Sequence, residues 1–125
     1  MDEKMINDIK ACGIEYEDTL HRFMNKQDMM VKFLKKFPED ANYSQMVENI
    51  DKRDYKMAFR NAHTLKGVVA NLGIQSLYSH VSEITELLRD REEYEVDQQR
   101  LTEELMLLNE KYVEVCTVIR RIDSM

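Results

Sequence analysis

The sequence predicts an all-α protein, an antiparallel four-helix bundle with short additional helices at its N-terminus. Apolar residues recur every three to four positions along most of the 125-residue chain, which is the spacing of helices that bury one face. Three glycines and one proline are too few for a protein with many β-turns. Short polar segments separate the apolar pieces, and short connections place consecutive helices antiparallel. We expect residues 1–125 to form a single domain.

Two short helices are predicted at the N-terminus, over residues 2–12 and 15–24, with Gly13 ending the first. Their apolar positions, which we expect to be buried, are Met5, Ile6 and Ile9, then Tyr16, Leu20, Phe23 and Met24.

The next two helices, over residues 27–37 and 42–51, lie on either side of Pro38. Proline has no backbone N–H and its ring clashes with the preceding turn, so it bends or breaks a helix, and the sequence leaves that choice open. The predicted inward positions are Met30, Val31, Leu34 and Phe37, then Met46, Val47 and Ile50.

Three longer helices complete the chain, over residues 54–72, 74–89 and 97–122. Gly73 ends the first of them, and a charged turn at residues 90–93 separates the other two. Their predicted buried stripes are Tyr55, Ala58, Ala62, Leu65, Val69 and Leu72; Leu77, Val81, Ile84 and Leu88; and Leu101, Leu105, Leu108, Tyr112, Cys116 and Ile119.

The composition narrows the class of function. The net charge of −6 argues against nucleic-acid binding, and no apolar run is long enough for a membrane-spanning helix. Cys12 and Cys116 lie far apart without a partner motif, which is typical of free thiols in a reducing compartment. With no secretory signal at the start, we expect a cytoplasmic monomer.

One histidine lies opposite a buried stripe. On the helix of residues 54–72, His63 points outward among Lys56, Phe59, Arg60, Lys66, Gly67 and Ala70. Residues 52–72 carry five basic residues and one acidic residue, a net charge of +4 in an acidic chain. Such a patch suits an anion or an acidic partner.

These residue types fit phosphoryl chemistry. A neutral imidazole is a good nucleophile near neutral pH, and a neighbouring cation can hold phosphoryl oxygens. Glycine destabilises a helix interior by about 1 kcal/mol relative to alanine, so a glycine at position 67 is unexpected unless it has a role. Access for a partner to His63 would be such a role. No glycine-rich phosphate loop or kinase signature is present, so no ATP site is expected.

The run Ala62-His63-Thr64-Leu65-Lys66-Gly67, followed by Asn71-Leu72-Gly73 and Leu77, resembles the signature of histidine-containing phosphotransfer (HPt) domains. The resemblance extends over most of the chain, from Gly13 to Ile122. It implies that His63 accepts the phosphoryl group, that Lys66 stabilises it and that Gly67 gives access. Lys56, Phe59, Arg60 and Ala70 are then the residues that contact the partner.

The resemblance also implies partners and cofactors. The partners are receiver domains of response regulators or hybrid histidine kinases, and the receiver supplies Mg²⁺, so the chain needs no cofactor or metal of its own. The family often has a Leu-Glu pair where this chain has Ile84-Thr85, a departure remote from the chemistry.

Two alternatives remain open at this point. A fragment of a sensor histidine kinase also carries a histidine on a helical bundle, but it usually has an acidic residue and a proline where Thr64 and Val68 stand here. A non-catalytic adaptor would use the basic patch to bind an acidic partner. His21 and His80 lack metal-ligand spacing, and we expect a surface position for His21 and a boundary position for His80. The Glu103-Glu104 pair is typical of a solvated helix face.

Overall fold

The computed structural model describes residues 1–122 and confirms the all-α bundle. Seven α-helices follow one another, and the described residues contain no β-strand. They are α1 (Glu3–Ala11), α2 (Tyr16–Arg22), α3 (Gln27–Lys36), α4 (Ala41–Asp51), α5 (Tyr55–Asn71), α6 (Gln75–Leu88) and α7 (Gln98–Arg120). Single 3-10 turns, Phe37–Glu39 and Glu93–Glu95, precede α4 and α7.

Aspartates begin four of these helices. The side chain of Asp2 accepts a hydrogen bond from the backbone N–H of Met5, and Asp54 accepts from that of Met57. Asp40 and Asp97 do the same for α4 and α7. Each carboxylate satisfies a backbone donor that has no partner within the helix, which fixes where the helix starts.

Pro38 separates α3 from α4 completely. The chain leaves α3 through the turn Phe37–Glu39, and Asp40 then takes an extended conformation with φ −68° and ψ 122° before α4 begins. The helix is therefore broken near Pro38 and not merely bent, because a bent helix would have no extended residue between its two parts.

The predicted stripe of α5 forms the centre of the core. All of its members, from Tyr55 to Leu72, are buried. Helix α5 packs between α4 and α6, α6 packs on α7, and α3 with its following turn contacts α7 on the remaining side. Helices α5 and α6 are antiparallel, as Lys66 lies over Tyr78 near their connection and Phe59 faces Arg89 at the far end.

The loop between α1 and α2 is hydrogen-bonded to the turn between α5 and α6. Glu15 N–H donates to the Gly73 carbonyl at 2.9 Å, and Ser76 N–H donates to the Gly13 carbonyl at 3.2 Å. The Ser76 hydroxyl adds a bond to the Cys12 carbonyl at 2.8 Å. These bonds attach the N-terminal helices to the end of the helix that carries His63.

Helix α2 supplies further donors to the C-terminal end of α5. The fully buried Thr19 hydroxyl lies 2.7 Å from the Glu15 carbonyl and 3.1 Å from the Leu72 carbonyl, and these two acceptors share its one proton. Arg22 donates from Nη1 to the carbonyls of Ala70 at 2.6 Å and Asn71 at 3.0 Å. The last carbonyls of a helix lack partners within it, so these donors satisfy the carbonyls at the C-terminal end of α5.

Two burial predictions are wrong. Met24 is 77% exposed because the chain leaves α2 at Arg22, and Met24 itself adopts a left-handed φ of 57°. Val47 is also exposed, since α4 buries only the narrow side around Met46. The buried stripe of α6 is confirmed at every position.

Candidate functional site

His63 lies exposed on the middle of α5, on the side opposite the buried stripe. Its ring lies nearly parallel to that of Phe59, one turn earlier, with the ring centroids 5.9 Å apart and an interplanar angle of 13°. Phe59 is half-buried, so the stack limits the rotation of the imidazole while leaving its outer side open to solvent. A nucleophile presented in this way is accessible to a large partner.

Lys66 approaches the same surface from one turn later. Its Nζ lies 6.0 Å from the centroid of the Tyr78 ring on α6, at the outer limit of a cation–π contact. None of the ion pairs within residues 1–122 includes Lys66. The ammonium group is therefore oriented by an aromatic ring but keeps its charge available for an anion.

Gly67 leaves an open space beside His63. It is exposed, and a Cβ added to it would meet no atom within 4 Å outside its own helix. Helix packing therefore does not explain the glycine. The other two glycines differ, because a Cβ at Gly13 or Gly73 would lie within 2.5 Å of a side chain of another segment.

The predicted partner-contacting residues lie on the outward side of α5. Lys56, Arg60 and Ala70 are exposed, while Phe59 is half-buried beneath the His63 ring. The Ala70 carbonyl accepts the hydrogen bond from Arg22, so the N-terminal helices border this surface at its Ala70 end.

Helix α6 brings residues to the site that the sequence reasoning missed. The Arg89 guanidinium lies 5.0 Å from the centroid of the Phe59 ring, and it donates two hydrogen bonds to the Glu86 carboxylate. These bonds hold the pKa of Glu86 below its usual range and raise that of Arg89. Only the antiparallel pairing of α5 and α6 places Arg89 over Phe59, the ring that stacks with His63, so no local pattern could have found it.

An apolar groove lies beside the same helix, toward its C-terminal end. We name it the aromatic groove; it has a volume of about 420 Å³ and is lined by Phe23, Phe33, Lys36, Phe37, Asp40, Val68, Asn71 and Leu72. The rings of Phe23 and Phe33 stack at 5.4 Å, and Phe33 stays 43% exposed. Because Val68 and Asn71 follow Gly67 on α5, the groove continues the surface around His63.

The other histidines lie elsewhere. His21 is exposed on α2, whereas His80 on α6 lies 2.8 Å from a carboxylate oxygen of Glu104 on α7. The expectation that Glu104 lies on a solvated face is therefore wrong, because its side chain is only 18% exposed and joins two helices. Within residues 1–122 no three His, Cys, Asp or Glu side chains are grouped to hold a metal ion, and no helix has the length and apolarity to cross a membrane.

Comparison with known protein families identifies a match. The family model of the Hpt domain matches residues 28–120, which span α3 to α7 and include His63, Lys66 and Gly67. The match is shorter than the resemblance from Gly13 to Ile122 and leaves α1 and α2 outside it. No curated protein and no solved structure gave a match. Because the family model covers most of the chain, this protein belongs to the histidine-containing phosphotransfer (HPt) domain family, whose members carry phosphoryl groups in phosphorelay signalling.

Proposed function

We propose that His63 accepts a phosphoryl group from the aspartyl phosphate of one receiver domain and passes it to the aspartate of a second. The observation that carries this proposal is the exposed imidazole on α5 with an unpaired lysine one turn away and open space at Gly67. The chain acts as a carrier and co-substrate, and we propose that it has no ATP site of its own.

The transfer requires few groups from this chain. A lone pair of the neutral His63 ring forms the N–P bond while the P–O bond of the acyl phosphate breaks and its electrons return to the aspartate carboxylate. The proton on the other ring nitrogen is then released to water. Phosphoryl transfer depends mainly on positioning and electrostatics, which Phe59 and Lys66 supply here.

Lys66 is placed to hold the phosphoryl oxygens after transfer. Its position three residues after His63 puts both side chains on one side of the helix. We propose that the receiver domain contributes the Mg²⁺ and that this chain contributes the lysine.

The receiver docks, in this proposal, over the outward side of α5. Lys56, Arg60 and Ala70 surround His63, and the basic charge of this segment suits a partner that carries an aspartyl phosphate. The aromatic groove extends the surface and offers Phe33 to an apolar side chain of the partner. We further propose that residues 1–125 form one cytoplasmic, monomeric domain.

The test is phosphoryl transfer from a panel of phosphorylated receiver domains. His63→Gln should abolish acid-labile, base-stable labelling, whereas His21→Gln, on an exposed site of α2, should label as wild type. His80→Gln serves as a second control whose stability must be checked, because His80 contacts Glu104. Labelling that survives in the His63 variant would refute the assignment.

The same experiment addresses the two alternatives. An adaptor would bind receivers or other acidic partners without any label on His63. A kinase fragment would bind ATP, which isothermal titration of the chain with ATP would detect. We propose the carrier because the family of the chain and the open space at Gly67 both favour transfer over binding alone.

A further inference from the structure

Asn61 is a buried polar residue on the side of α5 that faces α4. Its side chain is 6% exposed, and the other buried polar residues within positions 1–122 are Thr19 and Thr85. The hydroxyls of those two bond to backbone carbonyls, whereas the Asn61 amide bonds to two side chains of α4. Asn61 therefore joins two helices of the bundle through side chains, which the two threonines do not.

Two amides of α4 hold that of Asn61. Asn49 Nδ2 donates to Asn61 Oδ1 at 2.8 Å, and Asn61 Nδ2 donates to Gln45 Oε1 at 3.3 Å. Gln45 and Asn49 lie one turn apart on α4, so the three side chains form a row that we name the amide ladder. Hydrogen bonds weaken steeply when their distance or angle changes, whereas apolar contacts are non-directional. The amide ladder therefore restricts the rotation of α5 against α4 more closely than the apolar stripe does.

His63 lies nearly opposite Asn61 on α5. Two residues correspond to about 200° around a helix, so the two side chains point about 160° apart. A rotation of α5 by about 10° would move an imidazole that lies about 6 Å from the helix axis by about 1 Å. A displacement of reacting groups by about 1 Å can reduce a rate on the order of 100-fold. Whatever fixes Asn61 therefore also fixes where His63 meets a partner.

We propose that Asn61 is a positioning residue, which sets the direction of His63 toward a docked receiver through the amide ladder to α4. This proposal rests on the proposed function. Buried polar contacts can specify the register between helices where apolar contacts alone would allow several. Asn61 is buried, so it acts through the direction of His63 and not by contact with the receiver.

Substitutions on α4 break the amide ladder without changing α5. A side-chain amide can turn to present either its oxygen or its nitrogen, so Gln45→Glu alone or Asn49→Asp alone leaves an arrangement with both hydrogen bonds. In the double variant both neighbours of Asn61 only accept, so one bond is lost and the Asn61 carbonyl faces a carboxylate. Gln45 is exposed and Asn49 is half-buried, so the new charges stay in contact with solvent.

The expected result is a non-additive loss of transfer from a phosphorylated receiver. Each single variant should transfer within about twofold of wild type, and the double variant about five- to tenfold more slowly at saturating receiver. Receiver affinity should stay within about twofold in all three, because the exposed residues around His63 are unchanged. Asn61→Leu should slow transfer to the same extent, and the two acidic changes should add nothing in that background. Asn61→Leu should also stay folded, because it leaves amides that water can reach.

Phosphoramidate separates the direction of His63 from its reactivity. This small donor phosphorylates histidine without any receiver, as a new N–P bond forms, its own P–N bond breaks and ammonia leaves. Because it can approach the imidazole from any open side, labelling followed by ³¹P NMR should keep the wild-type rate in every variant above. Thr85→Val supplies the matched control, since the Thr85 hydroxyl is buried but bonds only within α6, and it should leave receiver transfer unchanged.

The failures of the two proposals are distinguishable. Wild-type protein that takes no label on His63 from any phosphorylated receiver refutes the proposed function. If wild type is labelled, wild-type transfer by the double acidic variant refutes the positioning role of Asn61. A loss in the double variant that merely sums the single losses also refutes it, as does phosphoramidate labelling that slows together with receiver transfer. If Asn61→Leu unfolds, the variants on α4 still decide the question.

Discussion

Replacing Gly67 with alanine should stabilise this protein while impairing its phosphoryl transfer. Gly67 lies inside α5, is exposed, and would meet no atom within 4 Å of an added Cβ outside its own helix. Alanine at such a position favours the helix by about 1 kcal/mol, partly by restricting the unfolded chain. For a domain of this size that gain corresponds to a rise in melting temperature of about 3–5 °C.

The added side chain lies where the partner must approach. Position 67 follows His63 by one turn on the same side of α5, so a methyl group there intrudes slightly and a leucine side chain intrudes strongly. A displacement of the reacting groups by about 1 Å can reduce a rate on the order of 100-fold. We therefore expect single-turnover transfer to fall with side-chain size, by about tenfold or more in Gly67→Leu.

Gly73 provides the matched control. A Cβ there would clash with Thr19 Oγ1, and the backbone has a φ of +67°, so Gly73→Ala should lower the melting temperature. Thermal unfolding followed by circular dichroism, together with transfer from a phosphorylated receiver, measures both effects. The reasoning is refuted if Gly67→Leu unfolds the protein, or if it stays folded and transfers at the wild-type rate.

Three further predictions concern other parts of the molecule. Thr19→Val should lower the free energy of unfolding by about 1–3 kcal/mol in urea titrations, because the Leu72 carbonyl loses a buried donor. Thr19→Ser retains the hydroxyl and should therefore keep most of the wild-type stability. Lys66→Ala should slow single-turnover transfer more than it weakens receiver binding. The free energy of unfolding of this variant should change little, because the lysine is not part of an ion pair within residues 1–122. Equal transfer rates in the variant and the wild type would count against a role of Lys66 at the site. Burial raises the pKa of the Cys12 thiol from its ordinary value of 9.0 to about 11, so the unfolded thiol ionises first and stability falls as the pH rises between these values. Cys12→Ala should lessen that fall in stability. If stability depends on pH in the variant as it does in the wild type, the fall does not come from Cys12.

The buried side of each long helix followed from the sequence because it depends on local periodicity. The stripe from Tyr55 to Leu72 is buried throughout, and His63 is exposed as its angle on the helix predicts. The ends of α5 were also predictable, since Asp54 and Gly73 act through their own backbone neighbours.

Contacts between distant segments did not follow from periodicity. Arg89 contacts Phe59 only through the pairing of α5 with α6, and the Thr19 hydroxyl contacts the Leu72 carbonyl only because α2 packs on the end of α5. Met24 shows the related difficulty at helix ends. Its spacing matched a buried stripe, but the helix stopped before reaching it.

The hydrogen bonds between the N-terminal segment and the turn after α5 affect where this protein can be divided. A fragment that starts at residue 28, where the family match begins, would lack Glu15, Thr19 and Arg22. The carbonyls of Ala70, Asn71, Leu72 and Gly73 would then lose those donors, at the end of the helix that presents the histidine. Such a fragment would fray from Gly73 back toward Gly67. Fusions and shortened versions of this protein should therefore start at or before Asp2, so that the helices with the family signature keep the N-terminal helices that are hydrogen-bonded to them.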